Sequence, residues 1–224
     1  MKQMFRDMKV NSVISMLHII LCMGGMGCAI LILQRNMLMQ ILGIIPRTEE
    51  FENVHIIMCV MAAAMLLFAL YLLVRALSGN LQKKAREFVS KLDASEQEKL
   101  VWDYQNAWRG SRTIRIGQKY TFVLDGGAGI YSNRDIIWLY EWSETISHKG
   151  SSKDNYYFDL YLLDHEEPEI LGTTKKTYPA IMEYYRQHFP HILVGDSDEA
   201  RYLYRNDRNQ FLHLRYYDAQ NKAE

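Results

Sequence analysis

The chain has 224 residues, of which 49% are hydrophobic, and its 26 basic side chains balance its 26 acidic ones. The zero net charge argues against an overall basic nucleic-acid-binding protein, and the apolar content argues against an intrinsically disordered chain. The two halves differ in composition: eleven of the 12 Met residues lie at or before Met65, whereas all four Trp and 14 of the 15 Tyr follow residue 100. We interpret this asymmetry as a membrane part joined to a water-soluble part.

Two uncharged runs near the N-terminus predict membrane-spanning helices. Residues 12–33 and residues 54–74 contain no Asp, Glu, Lys or Arg. At 1.5 Å per residue, each run is long enough to cross a hydrocarbon core of about 30 Å. We therefore predict a membrane hairpin over residues 1–77.

A cleaved signal peptide is an alternative interpretation of the first run. Lys2, Arg6 and Lys9 would form its basic region, and Gly27-Cys28-Ala29 would offer small residues for cleavage. However, the apolar stretch exceeds the usual length of about 7–15 residues in such peptides. The length of the run favours a retained span.

The distribution of Lys and Arg predicts the orientation of the hairpin. Three basic residues precede the first span, two lie between the spans and five follow the second one. Cytoplasmic flanks carry the excess of Lys and Arg. We expect a multi-pass protein of the cell membrane, with both termini and the soluble half in the cytoplasm.

Small residues predict where the two spans pack. Gly24, Gly25 and Gly27 share a depth with Ala62, Ala63 and Ala64 in an antiparallel hairpin, which would let the two backbones approach closely. Residues 37–45 are apolar but follow a polar triplet, so we expect them at the outer membrane interface.

A basic juxtamembrane helix is predicted to link the membrane to the soluble half. Apolar residues recur at helical spacing through residues 78–94, with Lys83, Lys84 and Arg86 between them. Ser95 and Glu98 have capping-box spacing and predict a second helix that reaches about Trp108.

The remainder predicts a small α+β domain over residues 95–195, and we expect a fragment of residues 94–195 to fold without the spans. Alternating patterns predict strands at 114–124, in two pieces at 130–146, at 156–163 and at 169–172, with a polar connection at 147–155. Links of turn length between strands indicate an antiparallel sheet. A helix at 177–189 would cover one sheet face, and residues 196–224 would form an extension that is partly helical or disordered.

The order of these elements resembles a known kind of protein. The chain combines two predicted N-terminal spans with a meander ending in NRDIIWLYEW, the strand FDLYLL and the segment HFPHILVG at the end of the last helix. In these features it is similar to small bacterial membrane proteins that carry a cytosolic pleckstrin-homology-like (PH-like) domain. The resemblance implies a PH-like antiparallel sheet or barrel with a C-terminal covering helix. These families are largely uncharacterised, so it brings no catalytic residue.

Three kinds of chemical site find little support in the sequence. Pro190 separates His188 from His191, and His165-Glu166-Glu167 lacks a Cys partner, so we predict no metal site. The stretch 126–129 is Gly-rich but lacks the Lys and Ser/Thr of a P-loop, and a hairpin turn with positive φ explains it better. No nucleophile elbow is present, and all three Cys lie in the spans.

A lipid-headgroup site is also weakly indicated. The loop taken as the first hairpin, residues 125–129, contains an acid and no base. Arg115 and Lys119 would lie on an outward strand face, and Lys175-Lys176 precede the last helix. An aromatic strip of Trp138, Tyr140 and Trp142 would be a ligand surface or, more often at a period of two, part of the core. As part of the core, this face of the strand would meet the helix at 177–189.

These observations predict a membrane-anchored, cytosol-facing binding or scaffolding module that is not an enzyme and has no catalytic, cofactor or metal residues. Its partners would be the lipid bilayer and another membrane or cytosolic protein, not a nucleic acid. The alternatives are an accessory subunit of a transporter or receptor complex, and an enzyme with an unfamiliar site.

Overall fold

Two long apolar helices open the chain in the computed structural model, which describes residues 1–35, 39, 53–125, 127–148 and 151–213. Helix α1 spans Lys2–Leu33 and helix α2 spans Asn53–Leu77. Both are long and apolar enough to cross a membrane: an 18-residue window within Lys2–Leu33 has a mean hydropathy of 2.3, and one within Ile56–Leu77 has a mean hydropathy of 2.7. Buried helices of soluble proteins and signal sequences share these properties. The predicted interfacial segment 37–45 lies outside the described residues, apart from Met39.

The two helices approach closely at one of the predicted contacts. A Cβ at Gly27 would lie 3.1 Å from the Ala62 carbonyl oxygen and 2.9 Å from Leu66, and Ala62 itself is buried. Gly24 faces Ala69 at a longer distance, whereas Gly25 has no neighbour within 4 Å of such a Cβ. Small residues therefore bring the helices together at Gly27 and not along the whole glycine cluster.

The first three turns of α1 pack against the β domain. Met4 and Met8 are 1% and 0% exposed, and they share a cluster with Leu100, Phe122 and other buried residues of the domain. The uncharged run that predicts the span begins only at Ser12. Helix α1 thus continues without a break from the β domain into its apolar part.

Three short helices connect α2 to the first strand. A 3₁₀ turn at Asn80–Gln82 precedes α3 (Lys83–Ser90) and α4 (Ala94–Asn106). The capping box of α4 pairs Asp93 with Glu96, so it lies two residues earlier than the predicted pair of Ser95 and Glu98. The Glu96 N–H donates to the Asp93 carboxylate at 2.8 Å, so the N-cap is an acid two residues before Ser95.

The first sheet contains four antiparallel strands: β1 (Trp108–Arg109), β2 (Ile114–Ile116), β3 (Tyr120–Val123) and β4 (Gly129–Ser132). The single strand predicted at 114–124 is therefore a tight hairpin. The Asp103 carboxylate causes the turn, because it accepts the N–H groups of Gln118, Lys119 and Tyr120 at 2.7, 3.1 and 2.9 Å. Gly117 leaves room for this carboxylate, which a Cβ would overlap.

The second sheet also contains four strands: β5 (Ile136–His148), β6 (Ser151–Leu162), β7 (Glu169–Thr173) and β8 (Leu193–Val194). Their order is β7-β6-β5-β8, and β8 runs parallel to β5. The polar connection predicted at 147–155 is mostly strand, because Glu144 to His148 pair with Asn155 to Ser151. Exposed polar residues on both faces hid this extension of the hairpin.

The main core lies between the sheets and under helix α5 (Tyr178–His188). A register shift between Ile136 and Trp138 changes which residues of β5 face inward. Ile136 and Leu139 face the main core, whereas Ile137 and Trp138 face helices α6 (Asp198–Asn206) and α7 (Arg208–Phe211).

The architecture is thus a pair of long apolar helices followed by an α+β domain. Its two sheets are antiparallel except for the pairing of β5 with β8. In the part of the chain that the structure describes, neither sheet closes into the barrel that was considered from the sequence.

Candidate functional site

A groove lies where helix α3, which follows the two long apolar helices, meets the two sheets. We call it the juxtamembrane groove, and its volume is about 460 Å³. One wall is helix α3, which begins six residues after α2 ends. The opposite wall combines β4 with the ends of β6 and β7. It is the described cavity that joins the membrane-proximal helix to both sheets.

Two ion pairs cross or border this groove. The Lys84 ammonium lies 2.8 Å from Glu169 Oε1 and so links α3 to β7. His165 Nδ1 lies 2.7 Å from Asp164 Oδ1. Lys91 on α3 and Asp135 before β5 also line the groove. Among the described residues, no ion pair engages either of these last two charges.

The Tyr131 side chain is buried against this groove, and its hydroxyl has no hydrogen-bond partner among the described residues. Tyr131 is 8% exposed, and its ring folds over Gly129, where a Cβ would lie 2.6 Å from the hydroxyl oxygen. Burial, and secondarily the nearby Glu169 carboxylate, raise the pKa of the hydroxyl, so it remains neutral. A buried polar atom without a partner is uncommon in folded proteins and indicates a place for water or a ligand.

The N-terminal turns of α1 are held by a partly buried polar cluster on the other side of α4. Asp7 Oδ2 accepts a hydrogen bond from the Tyr104 hydroxyl at 2.7 Å and lies 3.2 Å from the Arg115 guanidinium. That guanidinium also lies over the Tyr104 ring, 4.4 Å from its centroid. Arg115, which we expected on an outward face, is therefore a structural contact between the strand and α1.

A second groove, of about 650 Å³, lies among the loops at the β1–β2, β3–β4 and β7–α5 connections. Arg112, Asp125 and Lys175 line it. Burial raises the pKa of the Asp125 carboxyl above its ordinary value. Arg112 also donates to Asn11 at 3.2 Å, next to the start of the uncharged run of α1. We call this cavity the loop groove.

The histidines considered for metal binding have other contacts. His188 stacks on Tyr184 with ring centroids 4.0 Å apart, and His191 Nε2 lies 2.9 Å from the Asn133 carbonyl oxygen. His165 lies in the juxtamembrane groove beside Asp164. In the described residues, no three His, Cys, Asp or Glu side chains come close enough to hold a metal ion.

The remaining candidates from the sequence are dispersed. Gly126 lies outside the described residues, and neither Gly127 nor Gly129 has a left-handed backbone, so these two do not carry the expected positive φ. Lys119 lies beside the Asp103 turn in a cavity shared with the exposed Trp102. Lys175 lies in the loop groove, and Lys176 is exposed.

The aromatic strip is divided between core and surface. Trp138 is buried under α6 and α7 and is not covered by α5 as expected. Tyr140 and Trp142 are half-buried, and the Trp142 indole donates to Asp159 Oδ1 at 2.7 Å. The strip therefore serves mainly to dock the C-terminal helices.

Sequence reasoning missed the juxtamembrane groove completely. Its floor residue, Tyr131, lies in a four-residue strand with no unusual pattern, and its two unpaired charges are 44 residues apart in the chain. Asp135 is the first residue of the conspicuous DIIWLYEW motif, and this one local signal indicated structure rather than a site.

Comparisons with known proteins identify one family. Residues 79–204 match the model of a family described as a domain of unknown function, DUF6709, which covers more than half of the chain. No curated protein and no solved structure matches the chain.

Proposed function

The chain belongs to the DUF6709 family, and we propose that it is a membrane-anchored, cytosol-facing binding module whose ligand site is the juxtamembrane groove. The observation that carries the proposal is the buried Tyr131 side chain, which lines this groove beside Glu169 and whose hydroxyl has no hydrogen-bond partner among the described residues. Lys91 and Asp135, on opposite walls, have no ion pair among the described residues and add charges that a polar ligand would engage. A groove of about 460 Å³ lies within the range of small-molecule sites, about 300–1,000 Å³.

The proposed address in the membrane rests on two independent features. The apolar helices α1 and α2 have suitable length and composition. The packing of Met4, Asp7 and Met8 against the β domain supports an N-terminus on the same side of the membrane as that domain. Together with the excess of Lys and Arg outside the loop between the spans, this arrangement supports two cytoplasmic termini. It also supports retention of the N-terminal segment over its removal as a signal peptide.

We also propose that the β domain is of the PH-like type. The elements follow one another in the order that the resemblance implies: four antiparallel strands, then three antiparallel strands, then a helix that covers the core. The short parallel strand β8 and the helices α6 and α7 are additions to that plan.

An accessory subunit of a membrane complex is the second proposal. Several large apolar side chains of α1 and α2, among them Ile32, Leu33 and Leu67, are exposed in the isolated chain. Lipid or another membrane protein would cover them.

In the enzyme alternative, a polar pocket would hold paired groups with shifted pKa values, and Asp125 in the loop groove is the place where we would look first.

The binding function can be tested by native retention of ligands. Intact protein would be purified in mild detergent, and molecules released on denaturation would be identified by mass spectrometry. Tyr131→Phe removes only the groove hydroxyl, and Tyr156→Phe in the loop groove is the matched control. We expect one or more molecules to be retained by the wild type and by Tyr156→Phe, and to be lost from Tyr131→Phe.

An identical set of retained molecules in all three proteins would contradict the site. Co-purification of one stoichiometric membrane protein, with no small molecule, would favour the accessory subunit. Reporter fusions at Arg47 and at the C-terminus test the orientation, and external activity of the C-terminal fusion would contradict it.

A further inference from the structure

We infer that the juxtamembrane groove binds a small zwitterionic molecule, about the size of an amino acid; this inference rests on the proposed function. It follows from the charges on the two walls and from the neutral hydroxyl of Tyr131, a residue that lines the same groove.

The first step is the pairing of charges. Lys84 is neutralised by Glu169 and His165 contacts Asp164, while Glu87 lies 3.7 Å from Lys83. Among the described residues, Lys91 on the helix wall and Asp135 on the sheet wall are left without an ion pair, and they do not pair with each other. A ligand between them would meet one positive and one negative group.

The second step is the hydroxyl of Tyr131. A tyrosine hydroxyl with its ordinary pKa of about 10 is already neutral at pH 7, and burial raises the pKa of this one further, so it is able both to donate and to accept a hydrogen bond. It suits a ligand carboxylate or phosphate that also contacts Lys91, or an ammonium that also contacts Asp135. The hydroxyl therefore fits either end of a zwitterion.

The third step excludes ligands of a single charge. The four carboxylates of the groove, Glu87, Asp135, Asp164 and Glu169, outnumber Lys84 and Lys91, which disfavours a polyanion. Lys91 is exposed and Asp135 is half-buried, so a simple cation would engage only Asp135 and an uncharged polyol would engage neither charge, whereas a zwitterion engages both. Zwitterions occur free, as amino acids, and at membranes, as phosphoethanolamine headgroups, and both have the required chemistry.

Calorimetric titration of the intact protein provides the test. The protein would be reconstituted in nanodiscs of phosphatidylglycerol, which contain no zwitterionic lipid. The probes would be individual amino acids with uncharged side chains, phosphoethanolamine, inorganic phosphate, putrescine and myo-inositol. We expect measurable binding for at least one zwitterion and none for the other three probes. Nanodiscs that contain phosphatidylethanolamine distinguish the sources, because a lipid ligand would abolish the binding of free zwitterions.

Three variants connect the binding to the groove. Lys91→Gln, Asp135→Asn and Tyr131→Phe should each weaken binding of the zwitterion by about tenfold or more, the effect of losing one hydrogen bond with a charged group. Asp135→Asn removes the negative charge and should in addition let phosphate bind better relative to the zwitterion. Lys91→Gln removes the positive charge and should let putrescine bind better relative to the zwitterion. Lys175→Gln in the loop groove is the control and should leave the affinity unchanged.

The outcomes separate the inference from the function on which it rests. Binding of phosphate, putrescine or inositol that is as tight as that of any zwitterion, and that is lost in Tyr131→Phe, would overturn the inference while the binding function stands. If no probe binds but native purification still retains a molecule that depends on Tyr131, the inference is likewise overturned while the binding function stands. If all probes fail and native retention is independent of Tyr131, both are wrong.

Discussion

At the scale of single residues, the burial of Trp138 depends on helices that lie far along the chain. Its ring is 4.8 Å from that of Tyr161 and 5.7 Å from that of Phe211, and its indole donates to the Gly195 carbonyl at 2.8 Å. Sequence alternation alone placed it against α5. The bulge at Ile136–Trp138 turned it to the opposite face, where α6 and α7 provide an equally dry environment.

We therefore predict that Trp138→Ala lowers the free energy of unfolding of the domain by about 3–5 kcal/mol, the cost of truncating a large aromatic side chain in a core. Trp102→Ala is the matched control, because Trp102 is 54% exposed, and its cost should stay below about 1 kcal/mol. Urea unfolding followed by the fluorescence of the remaining Trp residues gives both values. Equal, small losses in the two variants would show that Trp138 is not a core residue.

Asp125 allows a prediction of pH dependence. Burial raises the pKa of its carboxyl above that of the unfolded chain, so the folded state binds more protons between the two values. Its contribution to stability is therefore favourable at acidic pH and is lost as the pH rises through the raised pKa. Asp125→Asn should stabilise the domain at pH 7 and flatten this part of the profile. Thermal midpoints measured from pH 4 to pH 7 test this, and a destabilised variant at pH 7 would contradict it.

At the scale of elements, α1 belongs to two environments at once. Its first three turns lie in the core of the β domain, and its remaining turns form the uncharged run. No loop separates the two parts of this helix, so its apolar turns are joined rigidly to the turns that pack against α4 and the first sheet.

The contribution of these first turns can be measured by truncating their buried side chains. Met4→Ala and Met8→Ala should each cost about 2–5 kcal/mol, since both side chains are almost fully buried. Val10→Ala is the control on the same helix, because Val10 is 49% exposed in the isolated chain. All four Trp residues follow residue 100, so Trp fluorescence during thermal unfolding reports the β domain selectively. Unchanged midpoints for Met4→Ala and Met8→Ala would indicate that α1 is not part of the domain core.

At the scale of the whole molecule, the domain core extends beyond the residues that first suggested an independent unit. The sequence led us to expect that residues 94–195 fold alone. In the structure the outer face of the first sheet is covered by α1 and α3, and that of the second sheet by α6 and α7. The shorter fragment would therefore expose Phe122, Trp138 and their neighbours.

A comparison of fragments tests this extended core. Residues 79–213 should unfold cooperatively and bind less of a hydrophobic dye than residues 94–195. A peptide of residues 1–11 added in excess should stabilise the longer fragment, because it supplies Met4, Asp7 and Met8, and an Asp7→Ala peptide should do so less. Cooperative unfolding of residues 94–195 without dye binding would restore the original boundary.

Local patterns in the sequence determined the two apolar helices, the α+β class, the start of β2 and the helix at 178–188, because each depends on periodicity and composition within one segment. Boundaries failed where a distant group controls the backbone, as when Asp103 folds residues 114–124 into a hairpin. The candidate site could not be predicted for the same reason. Lys91, Tyr131 and Asp135 come from three elements with no common pattern, and only the packing of α3 against the sheets places them in one groove and leaves a buried hydroxyl without a partner.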